Sequence, residues 1–127
     1  GVILKKAMPL DHHYVPLERM PQFYNEIDVY LCASSSEGFS LSVLEASACG
    51  RTVISTRVGG CEDLIVNGDN GYLVDRDINA IAEKLKLLKE DRSLLKKMGY
   101  RNREIVEQNW SWKIRAKDWL NFIVANI

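Results

Sequence analysis

Residues 29–33 are apolar throughout, without the alternation of a half-exposed strand, and predict a strand buried on both faces. Residues 52–56 are a second, β-branched run. Between the two, the sequence has helical character from Ser40 to Gly50, and glycine suits the left-handed position that follows a helix. Strand, helix and strand with short connections make a right-handed parallel crossover. The expected architecture is therefore α/β, a parallel sheet with flanking helices. In such a sheet ligands collect beyond the carboxyl ends of the strands, and there the chain places Ser34-Ser35-Ser36-Glu37.

The residues that follow, Gly38-Phe39-Ser40-Leu41-Ser42-Val43-Leu44-Glu45-Ala46, open the helix. Ser40 is the expected N-cap, because Leu41, Leu44 and Ala48 then share one apolar face. A helix start presents unpaired backbone N–H groups and about half a unit of positive charge, a setting for phosphate. Gly38 has no Cβ, so a ligand can lie against its backbone. Glu45 falls about five residues into the helix, roughly 7 Å along its axis. That is about the span from a phosphate to the sugar ring next to it. Glu37, across the helix mouth, can accept hydrogen bonds from hydroxyls. Two carboxylates flanking an anion site suit a ligand with hydroxyls at both ends and phosphate between, as in a nucleotide-sugar. Taken singly, each glutamate reads first as an ordinary loop or helix-surface carboxylate, and Ser34 and Ser35 as loop solvation.

Glu37, seven intervening residues and Glu45, followed by Ala46-Ser47-Ala48-Cys49-Gly50, resemble the signature of retaining glycosyltransferases with two facing Rossmann-like domains, the GT-B class of glycosyl transferases group 1. The resemblance continues through Thr52-Val53-Ile54-Ser55-Thr56, Val58-Gly59-Gly60, Glu62-Asp63-Leu64-Ile65, Asn67-Gly68, Asn70-Gly71-Tyr72-Leu73-Val74 and Trp110-Ser111-Trp112. Ser40 stands where Gly or Pro is frequent, Ser47 where Met is usual, and Thr52 where Pro commonly precedes the Val. None of these departures removes a group the chemistry needs.

The resemblance implies a Rossmann-like, incomplete domain: residues 1–127 as part of the C-terminal, donor-binding half. A terminal helix over about 112–126 would cross toward an N-terminal domain that the chain lacks. It implies that Glu37 is the catalytic carboxylate, holding sugar hydroxyls and orienting the anomeric carbon. Backbone N–H groups of Gly38, Phe39, Ser40, Leu41 and Ser42 would grip the distal phosphate, and Glu45 would accept from the ribose hydroxyls. The reaction would move a hexose-type sugar from a nucleotide-diphosphate sugar to a glycan or lipid-linked acceptor held by the other domain. The chain alone is then expected to be inactive. No metal and no cofactor beyond the donor substrate are expected: paired Asp residues of the chelating kind are not evident, and a helix dipole supplies positive charge. The family's basic pair for the phosphates has no counterpart in the context of Lys5-Lys6. The resemblance further implies that the first strand of such a sheet, which would lie between the strands at 13–15 and 29–33, is not part of this chain. Alternatives are a phosphorylase or epimerase of the same fold, or a non-catalytic nucleotide- or sugar-binding module. Upstream sequence carrying the basic pair and an acceptor domain would favour the enzyme.

At 127 residues the chain is one domain's worth. Its 17 basic and 17 acidic residues give no electrostatic case for nucleic acid. Three cysteines, Cys32, Cys49 and Cys61, are an odd number without metal-ligand spacing and read as reduced, packed thiols in a cytoplasmic setting. No run approaches the ~20 apolar residues that cross a bilayer, and no stretch of these 127 residues reads as a signal peptide. Peripheral association of a longer parent with the inner face of the membrane stays open. No Ser or Cys has a His at a spacing that predicts a nucleophilic pair. Glycoside hydrolysis by Glu37 and Glu45 is disfavoured by their placement around a phosphate-binding helix start.

Along the rest of the chain, residues 13–15 before Pro16 predict a short strand. His12 and His13, adjacent on a strand, would point to opposite faces and so form no metal pair. Pro21 suits the first turn of a helix ending near Glu26, with Met20, Phe23, Tyr24 and Ile27 on its apolar face. Gly59-Gly60 reads equally as a turn or as a site of ligand approach; Arg57 could meet a phosphate, but a lone loop Arg reads first as a solvated cation. A short helix over 61–66, a turn series over 67–71 and a third strand over 72–74 follow. Asp77 caps a helix to about Lys89, with Ile78, Ile81, Leu85 and Leu88 on one face. Asp91 caps another to about Gln108, carrying Leu94, Leu95, Met98, Ile105 and Val106. Ser111 opens the last helix, where the tryptophans of the stripe Trp112, Ala116, Trp119, Leu120 and Ile123 could stack on a sugar, but the helical spacing favours core packing, partly exposed if the helix crosses to another domain.

Overall fold

A computed structural model describes Ile3 and residues 14–127. Strands β1 (Val29–Cys32), β2 (Thr52–Thr56) and β3 (Gly71–Val74) form one sheet in that order, and both pairings are parallel. Val29 lies opposite Thr52 and Cys32 opposite Ser55, while Val53 faces Gly71 and Thr56 faces Val74. The helices are α1 (Met20–Asn25, entered through a 3-10 turn at Leu17–Arg19), α2 (Leu41–Ala48), α3 (Cys61–Leu64), α4 (Ile78–Glu90), α5 (Arg92–Asn109) and α6 (Trp112–Ala125). The parallel α/β architecture expected from the two apolar runs is present.

β2 is the central strand, and all five of its residues are buried. Strand alternation sends Val53 to one layer, with Tyr24, Val43, Ala46, Leu64 and Val106, and Ile54 to the other, with Tyr72, Leu88, Leu95 and Met98. Helix α5 serves both layers, its first half through Leu95 and Met98 and its second through Val106. Each fully buried aliphatic side chain contributes about 1.5–3 kcal/mol.

A polar pair is built into this core. Asn70 and Asn102 are both fully buried. Asn70 Nδ2 donates to Asn102 Oδ1 at 2.8 Å and to the Leu64 carbonyl at 2.9 Å, and its Oδ1 accepts from the Val66 N–H at 2.7 Å. Asn102 Nδ2 donates to the Arg51 carbonyl at 2.8 Å. The turn before β3, the loop before β2 and helix α5 are thereby tied at one point.

Helix α2 ends as its sequence predicts. Gly50 has φ +69, its N–H reaches the Ser47 carbonyl at 2.9 Å, and the Arg51 N–H reaches the Ala46 carbonyl at 2.9 Å, the paired bonds of a Schellman motif. Asp77, Asp91 and Ser111 cap α4, α5 and α6 with their side chains, accepting from the N–H groups of Ala80, Leu94 and Ile114.

Several expectations give way. β1 is not buried on both faces: it pairs only with β2 among the described residues, and Leu31 is 38% exposed. An apolar run does not distinguish a central strand from an edge. The buried side of α2 is Val43, Ala46 and Ser47, while Leu41 is exposed. Both residue sets have helical spacing, and packing against the sheet and α5 selects the second. Ile78 lies outside the α4 face that Ile81, Leu85 and Leu88 present to the core. Helix α3 stops at Leu64 because Ile65 is extended. Tyr14 and Val15 form no strand, since Pro16 favours extended geometry but no strand among the described residues pairs with them; His12, His13 and Lys5-Lys6 lie outside the described residues. The stripe on α6 is not core: no residue of that helix is buried, and Trp112 is 89% exposed. Periodicity predicts an apolar face, but whether anything covers it is a tertiary matter.

Candidate functional site

The loop leaving β1 is fastened from the neighbouring loops. Thr56 Oγ1 donates to the Ser34 carbonyl at 2.6 Å, and Arg76 Nε donates to the Ala33 carbonyl at 2.9 Å. Ser34 Oγ then donates to Glu37 Oε1 at 2.7 Å, which orients a half-buried carboxylate beyond the carboxyl end of β1. Ser34 is thus more than loop solvation, and only the fold reveals it.

The glycine pair is explained by packing. Gly59 has φ +39, and a Cβ there would come closer than 3.0 Å to the carbonyl oxygens of Glu37 and Gly38; a Cβ on Gly60 would strike the Phe39 ring. The two loops at this edge of the sheet touch backbone to backbone, and glycine permits the contact. Gly38 is different. Its φ is not positive, and a Cβ on it would meet nothing within 4 Å.

Ser40 occupies the N-cap position of α2 with extended geometry (φ −80, ψ 92), and its carbonyl accepts from Val43 N–H at 3.1 Å and Leu44 N–H at 3.2 Å. Its side chain makes no cap bond; Ser40 Oγ sits 3.2 Å from Ser42 Oγ. Gly38, Phe39, Ser40, Leu41 and Ser42 thus lead into α2 without the side-chain cap that α4, α5 and α6 have, and the field of the helix start favours an anion.

Glu45, one turn farther along α2, is exposed, yet one oxygen is held: the Tyr24 hydroxyl donates to Oε2 at 2.8 Å. Tyr24 itself is 2% exposed, and burial first, then its bond to Glu45 and that residue's charge, push the phenol far above its ordinary range. Tyr30 on β1 also ionises less readily than usual. Burial is the main cause, the hydrogen bond with Ser42 opposes it, and the nearby groups of Cys32, Glu37 and Glu45 add to it. Tyr30 therefore stands in the field of both carboxylates. Sequence periodicity placed Tyr24 in the core but held no signal for its bond to Glu45, which joins residues 21 apart.

Tyr24→Phe should lower stability by about 1 kcal/mol, since solvent hydrates the released carboxylate. The pH dependence gives a second signature. Unfolded, Tyr24 ionises near 10.0; folded, it keeps its proton well beyond that. The native state then holds a proton the unfolded state has lost, so this stabilisation is full below 10.0 and declines as pH rises above it. Urea unfolding at several alkaline pH values should show a shallower decline for Tyr24→Phe than for the parent chain. Equal slopes would contradict the buried bond.

Arg57 pairs with Glu62 at 3.8 Å, both about half exposed. Among the described residues no group of three or more His, Cys, Asp or Glu side chains could hold a metal ion, and no helix is long and apolar enough to cross a membrane. Cys32 and Cys61 are buried, Cys49 half-buried, and all three are free. Two surface hollows, one lined by Asp69, Lys97, Tyr100, Arg101 and Glu104 and one by Arg115, Asp118, Trp119 and Phe122, do not include Glu37 or Glu45.

The chain as a whole is similar to known proteins. The chain is 40% identical over 93 residues to the capsular polysaccharide biosynthesis glycosyltransferase CapM of Staphylococcus aureus, covering 72% of this chain and 24% of CapM. In structure it resembles sucrose-phosphate synthase from Thermosynechococcus elongatus, with a TM-score of 0.80 and 26% identity over 90% of this chain and 30% of that one. It also resembles a mutant of S. aureus TarM solved in complex with Fondaparinux, alpha-GlcNAc-glycerol and UDP, with a TM-score of 0.76 and 27% identity over 85% of this chain and 22% of that one. The chain thus spans between a fifth and a third of the length of these proteins. A sequence model described as Glycosyl transferases group 1 matches residues 10–105, which hold the whole parallel sheet, both glutamates and helix α2, and on that match this chain belongs to the family and has its GT-B, Rossmann-like fold.

Proposed function

We propose that this chain is the donor-binding part of a retaining glycosyltransferase that takes a nucleotide-diphosphate sugar and transfers a hexose-type sugar to a glycan or lipid-linked acceptor. The observation that carries this reading is the mouth of α2, uncapped by Ser40 and flanked by a fastened carboxylate on each side, Glu37 through Ser34 and Glu45 through Tyr24. Gly38 adds to it: neither backbone conformation nor packing requires glycine there, and a ligand lying against the backbone would. In this reading the N–H groups from Gly38 to Ser42 grip the distal phosphate. That phosphate belongs to the leaving group, so donors aimed at its developing charge lower the barrier. Glu37 takes the sugar hydroxyls, and Glu45 offers its remaining lone pairs to the ribose. UDP in the TarM structure supports a nucleotide donor by analogy of fold. The working location proposed for the parent is the cytoplasm, at the inner membrane face where the acceptor is lipid-linked.

Taken alone, the 127-residue chain should bind nucleoside diphosphate in the millimolar range and transfer no sugar. The helix mouth supplies about 1 kcal/mol of dipole attraction plus a few exposed hydrogen bonds, and Arg57 is engaged with Glu62. A millimolar dissociation constant corresponds to about 4 kcal/mol. Transfer also needs the acceptor held in near-attack geometry. Calorimetric titration with uridine and guanosine diphosphates, beside a transfer assay over a panel of sugars, is the test. Micromolar binding would mean that the phosphate grip is complete in this segment. Measurable transfer would mean that no second domain is required.

A further inference from the structure

Trp110-Ser111-Trp112 has no part in the proposed chemistry, yet one of its tryptophans reaches the site loop. The Phe39 ring lies on Gly60, where a Cβ would strike it, and its centroid is 5.3 Å from that of Trp110, with the planes inclined at 33°. On Trp110 sits the Arg115 guanidinium, its central carbon 4.3 Å from the ring centroid. Arg115 Nε is buried and makes no hydrogen bond, and Nη1 reaches Asp118 at 3.4 Å, so stacking accounts for much of its placement. Trp110 follows the last residue of α5, and Ser111 caps α6. Phe39 is 38% exposed, so this stack lies at the rim of the core.

We infer that Trp110 is a positioning residue: through Phe39 it clamps the loop between Glu37 and Ser40 against Gly60 and holds the α2 mouth in the geometry that meets the donor phosphate. The second half of this inference rests on reading the α2 mouth as the donor site; the clamp itself does not. Without the indole, Phe39 loses its ring partner and keeps its contact with Gly60. The turn closed by the Ser40 carbonyl, which accepts from Val43 and Leu44, then opens more often.

Amide hydrogen exchange on the 127-residue chain tests the clamp with no substrate. Trp110→Ala should speed exchange at Val43 and Leu44 about tenfold, the scale of one lost aromatic pair. It should leave the β2 amides and Cys49, at the far end of α2, unchanged, and Trp110→Phe should restore the parent rates. No change at Val43 and Leu44 would overturn the inference. So would a uniform rise across the fold, which would make Trp110 an ordinary packing residue. A parallel titration with uridine diphosphate, followed by amide shifts of Gly38 to Ser42, tests the consequence. Affinity should fall several-fold in Trp110→Ala and recover in Trp110→Phe. Equal affinity in all three would overturn the role in donor binding. If the nucleotide shifts only residues elsewhere in the parent chain, the donor-site reading fails, and the exchange rates alone still decide the clamp.

Discussion

Glu37→Gln, made in a full-length enzyme carrying this segment, should lower turnover roughly ten- to hundredfold and leave nucleotide affinity nearly unchanged. The substitution keeps the shape and removes the charge. A charge-assisted hydrogen bond from a partly buried site is worth about 1.5–3 kcal/mol, which sets that range. Turnover suffers because Glu37 is assigned to the sugar, where the transition state develops its charge, and the carboxylate is already oriented by Ser34 Oγ at 2.7 Å. Glu45→Gln should behave oppositely and weaken nucleotide binding itself, since its partners would be ribose hydroxyls that do not react. The Tyr24 hydroxyl would still find an acceptor in the amide oxygen, so the fold is spared. Turnover and nucleotide affinity measured on both variants decide the matter. An equal loss of affinity in the two would remove this division of labour.

Gly59→Ala should be the most damaging single methyl at the site, at about 2–5 kcal/mol. Part of the cost is backbone strain: φ is +39, and a left-handed residue with a Cβ costs about 1–2 kcal/mol. The rest is overpacking, about 1–3 kcal/mol, because the new methyl meets two carbonyl oxygens, of Glu37 and Gly38, and not a flexible side chain. Relief requires the Glu37 loop to move, so nucleotide binding should weaken along with stability. Gly38→Ala is the informative contrast. Its Cβ meets open space, so stability should stay within about 0.5 kcal/mol, while a ligand lying against the backbone would be obstructed. Urea unfolding and nucleotide titration of the two variants separate these effects. A loss below about 1 kcal/mol for Gly59→Ala would contradict the loop-to-loop contact.

How legible the site was depends on the range of the interactions involved. Helix ends were readable because they are local: Asp77, Asp91 and Ser111 each bond an N–H three residues on, and Gly50 takes the left-handed position its lack of Cβ allows. Glu37 and Glu45 were placed around a helix mouth by their spacing alone, since strand, loop and helix follow one another directly. The fastening of those two groups was not legible. Ser34 reads as solvated until Thr56 fixes its carbonyl from 22 residues away, and Tyr24 reads as core until α1 packs on α2 and brings its hydroxyl to Glu45. Gly59-Gly60 likewise read two ways until the neighbouring loop closed on it.

The same division runs through the packing. By itself the sequence determined that the chain is α/β, that β2 lies between helical segments in a parallel crossover, and where most helices begin and end, because periodicity, caps and turn residues act over a few positions. Only the tertiary structure decided which of two apolar spacings on α2 is buried, that β1 pairs with β2 alone among the described residues and leaves Leu31 38% exposed, and that the α6 stripe with Trp112 and Trp119 faces outward. Burial belongs to pairs of surfaces, and a periodic apolar pattern describes only one member of each pair.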